Sequence, residues 1–220
     1  MFPLRDANSH RTTPVVTYGL IGANLLVFVY GLQLALPEAE RFLLVYSFVP
    51  QFFFENPLAS AYRSVSSLFL HGGWAHLLGN MFFLFVFGDN IEDRLGRGRY
   101  LMFYLVGGVA ATLLHALFTP SSPVPLIGAS GAVSAVLGAY IVLFPRQRVL
   151  TYIVPVFIFW LPAWMYLGYW ALVQGVQAVN GLTLLGGGDS VAWWAHVGGF
   201  LYGALVVRGL ERGPPYPVRQ

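Results

Sequence analysis

Gly128-Ala129-Ser130-Gly131-Ala132-Val133-Ser134-Ala135 opens an apolar run that ends near residue 144. A helix needs about 20 residues to cross the ~30 Å hydrocarbon core of a bilayer, and this run is too short. The stretch before it, Thr119-Pro120-Ser121-Ser122-Pro123-Val124-Pro125, is kept out of regular helix by its prolines. Longer apolar runs lie on both sides, at 15–36, 74–91, 100–118, 150–178 and 193–208. The spacing predicts an all-α polytopic membrane protein of six helices, one of which starts inside the bilayer.

Composition supports this reading. Of 220 residues, 57% are hydrophobic and 10% charged, against about 25% charged in soluble domains. So little charge cannot coat so much apolar surface, which excludes a soluble enzyme and a disordered chain. The first run exceeds a signal-peptide core of roughly 7–15 residues and lacks a small-residue cleavage site, so it reads as a retained span. Cysteine is absent, which excludes disulfides, cysteine-liganded metals and a cysteine nucleophile. All 12 basic residues are arginine and the net charge is +3, too little for nucleic acid.

The arginines mark topology instead. Ten of them (Arg5, Arg11, Arg94, Arg97, Arg99, Arg146, Arg148, Arg208, Arg212 and Arg219) fall on the side of the N-terminus in a six-span arrangement, and only Arg41 and Arg63 on the other. This asymmetry puts both termini in the cytoplasm. The expected organisation is a cytoplasmic segment at 1–14, one membrane domain at 15–208 and a disordered cytoplasmic tail at 209–220. Residues 37–73 mix Phe42, Phe48, Phe52 and Leu68 with Glu38, Glu40, Arg41 and Glu55. They are too charged to span and too apolar to be solvated, so they read as an interfacial subdomain of short amphipathic helices.

Polar side chains inside spans are costly and therefore candidates for function. They are His76, Asn80, His115, Ser130, Ser134 and His196. Ser130 stands at a helix start, where free N–H groups and the positive dipole end suit an oxyanion. Small residues around it (Gly128, Gly131) and after His196 (Gly199, Gly203) equally suit close helix packing, and a histidine alone in a span suits a structural hydrogen bond better than a catalytic role. His76 and Asn80, spaced i, i+4, share a helix face. No zinc motif is present, and haem ligation is weakly supported by five histidines.

Depth joins these residues. Counted from Arg146, Arg208 and Glu92, Ser130 and His76 lie 16 residues along their helices and His196 and Asn80 lie 12, ~24 and ~18 Å from the cytoplasmic edge. All four fall in one layer below the outer face. Irregular backbone at that depth must be buried in protein or line a wet cavity. Asp189, seven residues before His196, lies too high to complete a triad, so the pattern favours a Ser–His dyad with the ring oriented by packing.

These motifs resemble the rhomboid family of intramembrane serine proteases over residues 40–208. The resemblance is carried by Val49-Pro50, Phe69-Leu70-His71-Gly72, His76-Leu77-Leu78-Gly79-Asn80-Met81, Glu92-Asp93-Arg94-Leu95-Gly96, Gly128-Ala129-Ser130-Gly131-Ala132 and Ala195-His196-Val197-Gly198-Gly199. It implies a nucleophilic Ser130, a general base His196, and an oxyanion hole of His76, Asn80 and the Ser130 N–H. It further implies cleavage of single-span membrane proteins near the outer face, without cofactor or metal, in a bacterial-type plasma membrane. The rival is a catalytically inactive rhomboid-like protein that binds transmembrane clients; such proteins lack the serine or the histidine. A channel or transporter lacks support, because the spans hold no paired charges.

Overall fold

The computed structural model describes residues 1–8, 12–153, 155, 157–183 and 191–211. The expected tail disorder and the position of Asp189 lie outside the described residues, apart from the first residues of that tail.

The chain is mostly helical. The long helices are α1 (Val15–Gln33), α6 (Trp74–Leu95), α7 (Arg97–Phe118), α9 (Ala163–Thr183) and α10 (Trp193–Leu210), around the shorter α8 (Ser130–Leu143). By length and composition, α1 and α7 can each cross a membrane, and α6 follows an 83° bend after the short helical segment Pro57–Phe69. Between α1 and α6 lie α2 (Leu36–Tyr46), α3 (Pro50–Glu55), α4 (Pro57–Ser60), α5 (Arg63–Ser66) and one 3-10 turn.

With 14 residues, α8 is ~21 Å long. Every residue from Gly131 to Tyr140 is buried, so it forms the axis of the bundle. Its contact with α10 is backbone on backbone. A Cβ on Gly199 would stand 2.0 Å from the Gly131 carbonyl oxygen, one on Gly203 1.9 Å from that of Ala135, and one on Gly138 2.0 Å from that of Phe200. Only hydrogen fits at these three positions, so the small-residue pattern fixes the spacing of the two helices.

Helix ends are satisfied by tertiary contacts. The Glu92 carboxylate accepts from Val16 N at 2.9 Å, Thr17 N at 2.8 Å and Thr17 Oγ1 at 2.8 Å. It thereby takes up orphan donors of the first turn of α1 and meets that helix's positive end. Arg94, two residues on, pairs with Glu211 at 2.9 Å, tying α6 to the exit of α10. Gly96 turns the chain into α7 at φ 76°, in the left-handed region that glycine occupies without strain.

The all-α expectation, and the reading of residues 150–178 as one span, need correction. Strand β2 (Arg148–Ile153) pairs antiparallel with β3 (Phe157–Pro162), placing Val149 opposite Leu161 and Ile153 opposite Phe157. The N-terminal strand β1 (Phe2–Asp6) pairs with the other edge of β2, Phe2 opposite Tyr152. A small three-stranded sheet in the order β1-β2-β3 therefore precedes α9, and helix begins only at Ala163. The cause is local. Residues 148–162 are rich in β-branched and aromatic types, and Pro155 and Pro162 deny the segment a continuous helix.

The sheet is latched to the bundle through Asp6. Its carboxylate accepts from Tyr140 OH on α8 at 2.5 Å and from Asn90 Nδ2 on α6 at 2.9 Å. Burial, reinforced by the nearby Asp89 charge, pushes the Asp6 carboxyl up to about 7 despite the Tyr140 hydrogen bond.

Candidate active site

Two loop-to-loop contacts hold the chain that enters α8. Phe48 and Leu126 exchange backbone hydrogen bonds of 3.1 and 2.7 Å, and Gly128 N donates to Ser67 O at 2.9 Å. The short helices between α1 and α6 thus clamp the Pro-rich stretch. Gly128 has φ +118°, and a Cβ there would fall 2.7 Å from His76 Nε2 and 3.6 Å from Asn80 Nδ2. This glycine permits both the left-handed turn and the close approach of the α8 entry to the face of α6 that carries His76 and Asn80.

Ser130 follows as the first residue of α8, half-buried. Its neighbour Gly131 sits against Ala195, the residue before His196: a Cβ on Gly131 would lie 3.8 Å from Ala195 O. The serine-bearing helix start and the histidine-bearing turn of α10 are therefore adjacent. Ser130 and His196 are not hydrogen-bonded to each other in this state; resting catalytic sites commonly tighten such contacts when substrate binds. Ser134 turns its hydroxyl back along α8 to Ser130 O at 2.6 Å, so it does not engage the imidazole.

Asn80 is buried and its Nδ2 lies 3.0 Å from His71 Nε2. An amide nitrogen only donates, so His71 Nε2 accepts and holds the Asn80 side chain in place. The second Nδ2–H remains for another acceptor. The exposed ring of His76 packs edge-on to His71, centroids 5.1 Å apart. The sequence shows His71 within the Phe69-Leu70-His71-Gly72 motif; its partner Asn80 is visible only in the fold.

The main residue that sequence reasoning missed is Gln174 on α9. It is 7% exposed, and its Oε1 lies 2.6 Å from His196 Nδ1. A carbonyl oxygen only accepts, so His196 carries its proton on Nδ1 and leaves the Nε2 lone pair open. The expectation that packing alone orients the ring is corrected: an amide does so, with Trp170 and Trp193 flanking the ring at centroid distances of 6.0 Å. The signal was available. Gln174 is a polar residue inside an apolar run, eleven residues from the start of α9 at Ala163, ~17 Å and so close to the depth counted for His196.

The site thus gathers a helix-start serine, a single-tautomer histidine and side-chain amide and imidazole donors, with glycines wherever backbones meet. Such a set can perform acyl transfer without any metal-ligand cluster.

Comparison with known proteins bears on the same segments. A model of the Rhomboid domain matches residues 58–212. "Rhomboid protein 1, mitochondrial" of Saccharomyces cerevisiae is 30% identical over 194 residues, covering 86% of this chain and 51% of that protein. "Rhomboid-like protein 11, chloroplastic" of Arabidopsis thaliana is 31% identical over 202 residues, 87% of this chain and 67% of that protein. "Rhomboid protease GluP" of Bacillus subtilis is 37% identical over 91 residues, 40% of this chain and 17% of that protein. The chain spans about half the length of the yeast relative. The matched region takes in α6 through α10 and hence each helix that carries a residue of the site, and on that footing the chain belongs to the rhomboid family of integral membrane proteins.

Proposed function

We propose that the protein is an intramembrane serine endopeptidase that cleaves single-span membrane proteins near the outer face of the bilayer, using a Ser130–His196 dyad. The carrying observation is the Gln174–His196 contact of 2.6 Å next to the helix start of Ser130. It supports a base whose Nε2 is unprotonated without any carboxylate.

In the proposed reaction, Ser130 Oγ attacks the scissile carbonyl carbon while its proton passes to His196 Nε2. The oxyanion is met by the Ser130 N–H, the free Asn80 Nδ2–H and His76. As the C–N bond breaks, the imidazolium returns that proton to the leaving amine. Water then attacks the acyl-enzyme, giving its proton to His196; as the ester bond breaks, the imidazolium returns that proton to Ser130 Oγ and both residues are restored. Preorganised donors in a site with little water contribute roughly 10²–10³ in rate each. The substrate's scissile carbonyl must leave its helical hydrogen bond, so segments rich in Gly or Pro are preferred.

We read the membrane topology as six spans with both termini cytoplasmic. The arginine asymmetry supports this, as does the buried, truncated α8, whose start beside an irregular loop fits a site set below the outer face. The bacterial-type plasma membrane remains our reading of the location. The organelle names of the yeast and Arabidopsis relatives belong to those proteins.

The test is cleavage of a labelled single-span substrate by the purified full chain in liposomes. Wild type is expected to cut, while Ser130→Ala and His196→Ala bind substrate without cutting and keep their thermal midpoints. Cleavage by either variant would sink the dyad, and a folded but inert wild type across a substrate panel would favour a client-binding role.

A further inference from the structure

We infer that Gln174 is the positioning residue of the site: its side-chain carbonyl sets the tautomer of His196, the task that a carboxylate performs in a triad. This rests on the dyad reading above for its consequence, but its physical content stands apart from any activity. Three observations carry it. Gln174 is 7% exposed and lies on α9, a third helix packed beside the two that bear the dyad residues. Its Oε1 lies 2.6 Å from His196 Nδ1, a length that requires a proton between them. Among the described residues no carboxylate accepts a hydrogen bond from His196. A buried amide left without partners is costly, and the His196 ring is the partner that Gln174 Oε1 meets, so the glutamine has an assigned job.

A neutral acceptor suits the depth. A carboxylate buried here would bear a large desolvation cost or take up a proton and become a donor. The amide stays neutral and remains an acceptor at every working pH. It fixes Nδ1–H and leaves the Nε2 lone pair open, but it stabilises the imidazolium less than a carboxylate would. Losing it therefore costs less than the ~10⁴-fold seen when a triad acid is neutralised and the tautomer inverted.

The experiment uses the full chain labelled with 15N-histidine, in the wild-type and Gln174→Met forms, with the five histidine signals assigned by single substitutions. Wild-type His196 is expected to show a protonated Nδ1 and an unprotonated Nε2, and Gln174→Met a mixture of tautomers. In turnover, Gln174→Met is expected to lower kcat roughly 10- to 10²-fold with KM unchanged. Gln174→Glu, which even as a neutral acid keeps a carbonyl oxygen able to accept from Nδ1, should recover at least part of that loss. An Nε2-protonated wild type, or a Gln174→Met spectrum identical to wild type, overturns the inference whether or not the protein proves to be a protease. The expected spectra with a wild type that cuts nothing would leave the tautomer assignment standing and remove only the proteolytic reading. Equal kcat in wild type and Gln174→Met would remove the positioning role. A kcat loss that Gln174→Glu does not ease, with a lowered thermal midpoint in both variants, would assign the residue to packing and also overturn it.

Discussion

Gly128 separates two requirements that glycine often merges. Its φ of +118° strains any side chain, and a methyl group there would meet His76 Nε2 at 2.7 Å, so the imidazole would have to move. Gly128→Ala is therefore expected to displace the His76 imidazole, strain the α8 entry and lower turnover by about 10²-fold or more, the scale of losing an oxyanion donor. The fold should persist, because the α8–α10 contacts lie further along. Fluorophosphonate labelling of Ser130, read beside the thermal midpoint, checks this; wild-type labelling speed in the variant would place the oxyanion donors elsewhere. Asn80→Ala and His76→Ala each remove one side-chain donor and leave the Ser130 N–H. Each is expected to slow cleavage roughly 10- to 10³-fold without abolishing it, and kcat measured on one substrate decides. Asn80→Ala should have the greater structural effect, since it also leaves buried His71 Nε2 without its partner.

At the scale of elements, the α8–α10 pair carries the fold. A Cβ on Gly203 would sit 1.9 Å from Ala135 O, whereas Gly209 on the same helix has nothing within 4 Å. Gly203→Ala must separate the helices and is expected to cost about 1–3 kcal/mol. Gly209→Ala is expected to be neutral or to stabilise by up to ~1 kcal/mol through helix propensity. Thermal unfolding of both in one detergent tests the contrast, and equal shifts would show that close backbone contact is not what holds the pair. Gly199 and Gly203 are legible from spacing because small residues at i, i+4 give one helix face a smooth surface for close backbone approach. The sheet was not. Apolar content alone does not distinguish strand from helix in residues 148–162, and the partner of β1 lies far along the chain, so no local period marks Phe2-Pro3-Leu4-Arg5-Asp6. The same hydropathy reading passed over Gln174, a neutral amide that barely lowers the average of its run. The strand latch has its own pH signature. Asp6 titrates at about 7 in the fold against 3.8 for the free group. Between those values the folded chain holds a proton that the unfolded chain has released, so this group's contribution to stability falls as pH rises from about 4 to about 7 and is level above. Asp6→Asn removes that slope. Amide exchange in β1 should quicken from pH 5.5 to pH 8 in wild type, after correction for intrinsic rates, and much less in Asp6→Asn. Parallel behaviour in the two would exclude Asp6 as the titrating latch.

For the whole molecule, the open question is how the bundle sits in the bilayer, and the cysteine-free sequence makes that testable. Any thiol label must come from an introduced residue. Three positions sample the proposed layers. Leu58 on α4 is 93% exposed among the short helices assigned to the outer side. Arg97 opens α7 within the arginine-rich turn assigned to the cytoplasm. Ser130 is half-buried at the start of α8, behind the clamp made by Phe48, Leu126, Ser67 and Gly128. In vesicles of known orientation, Leu58→Cys is expected to react with an impermeant reagent of any size from outside, and Arg97→Cys only from the cytoplasmic side. Ser130→Cys should react from outside with a small charged reagent and poorly with a bulky one, because the clamp narrows the approach while the helix start keeps its hydration. The thiolate is the reactive form, so the Ser130→Cys rate should also drop when His196→Ala removes the neighbouring base. Labelling of Ser130→Cys from the cytoplasmic side alone would invert the bundle and leave no basis for cleavage near the outer face. Equal labelling of Leu58→Cys and Ser130→Cys by the bulky reagent would bring the serine to the surface. In that case the short α8 would no longer mark a site within the membrane, and its length would need a purely packing explanation.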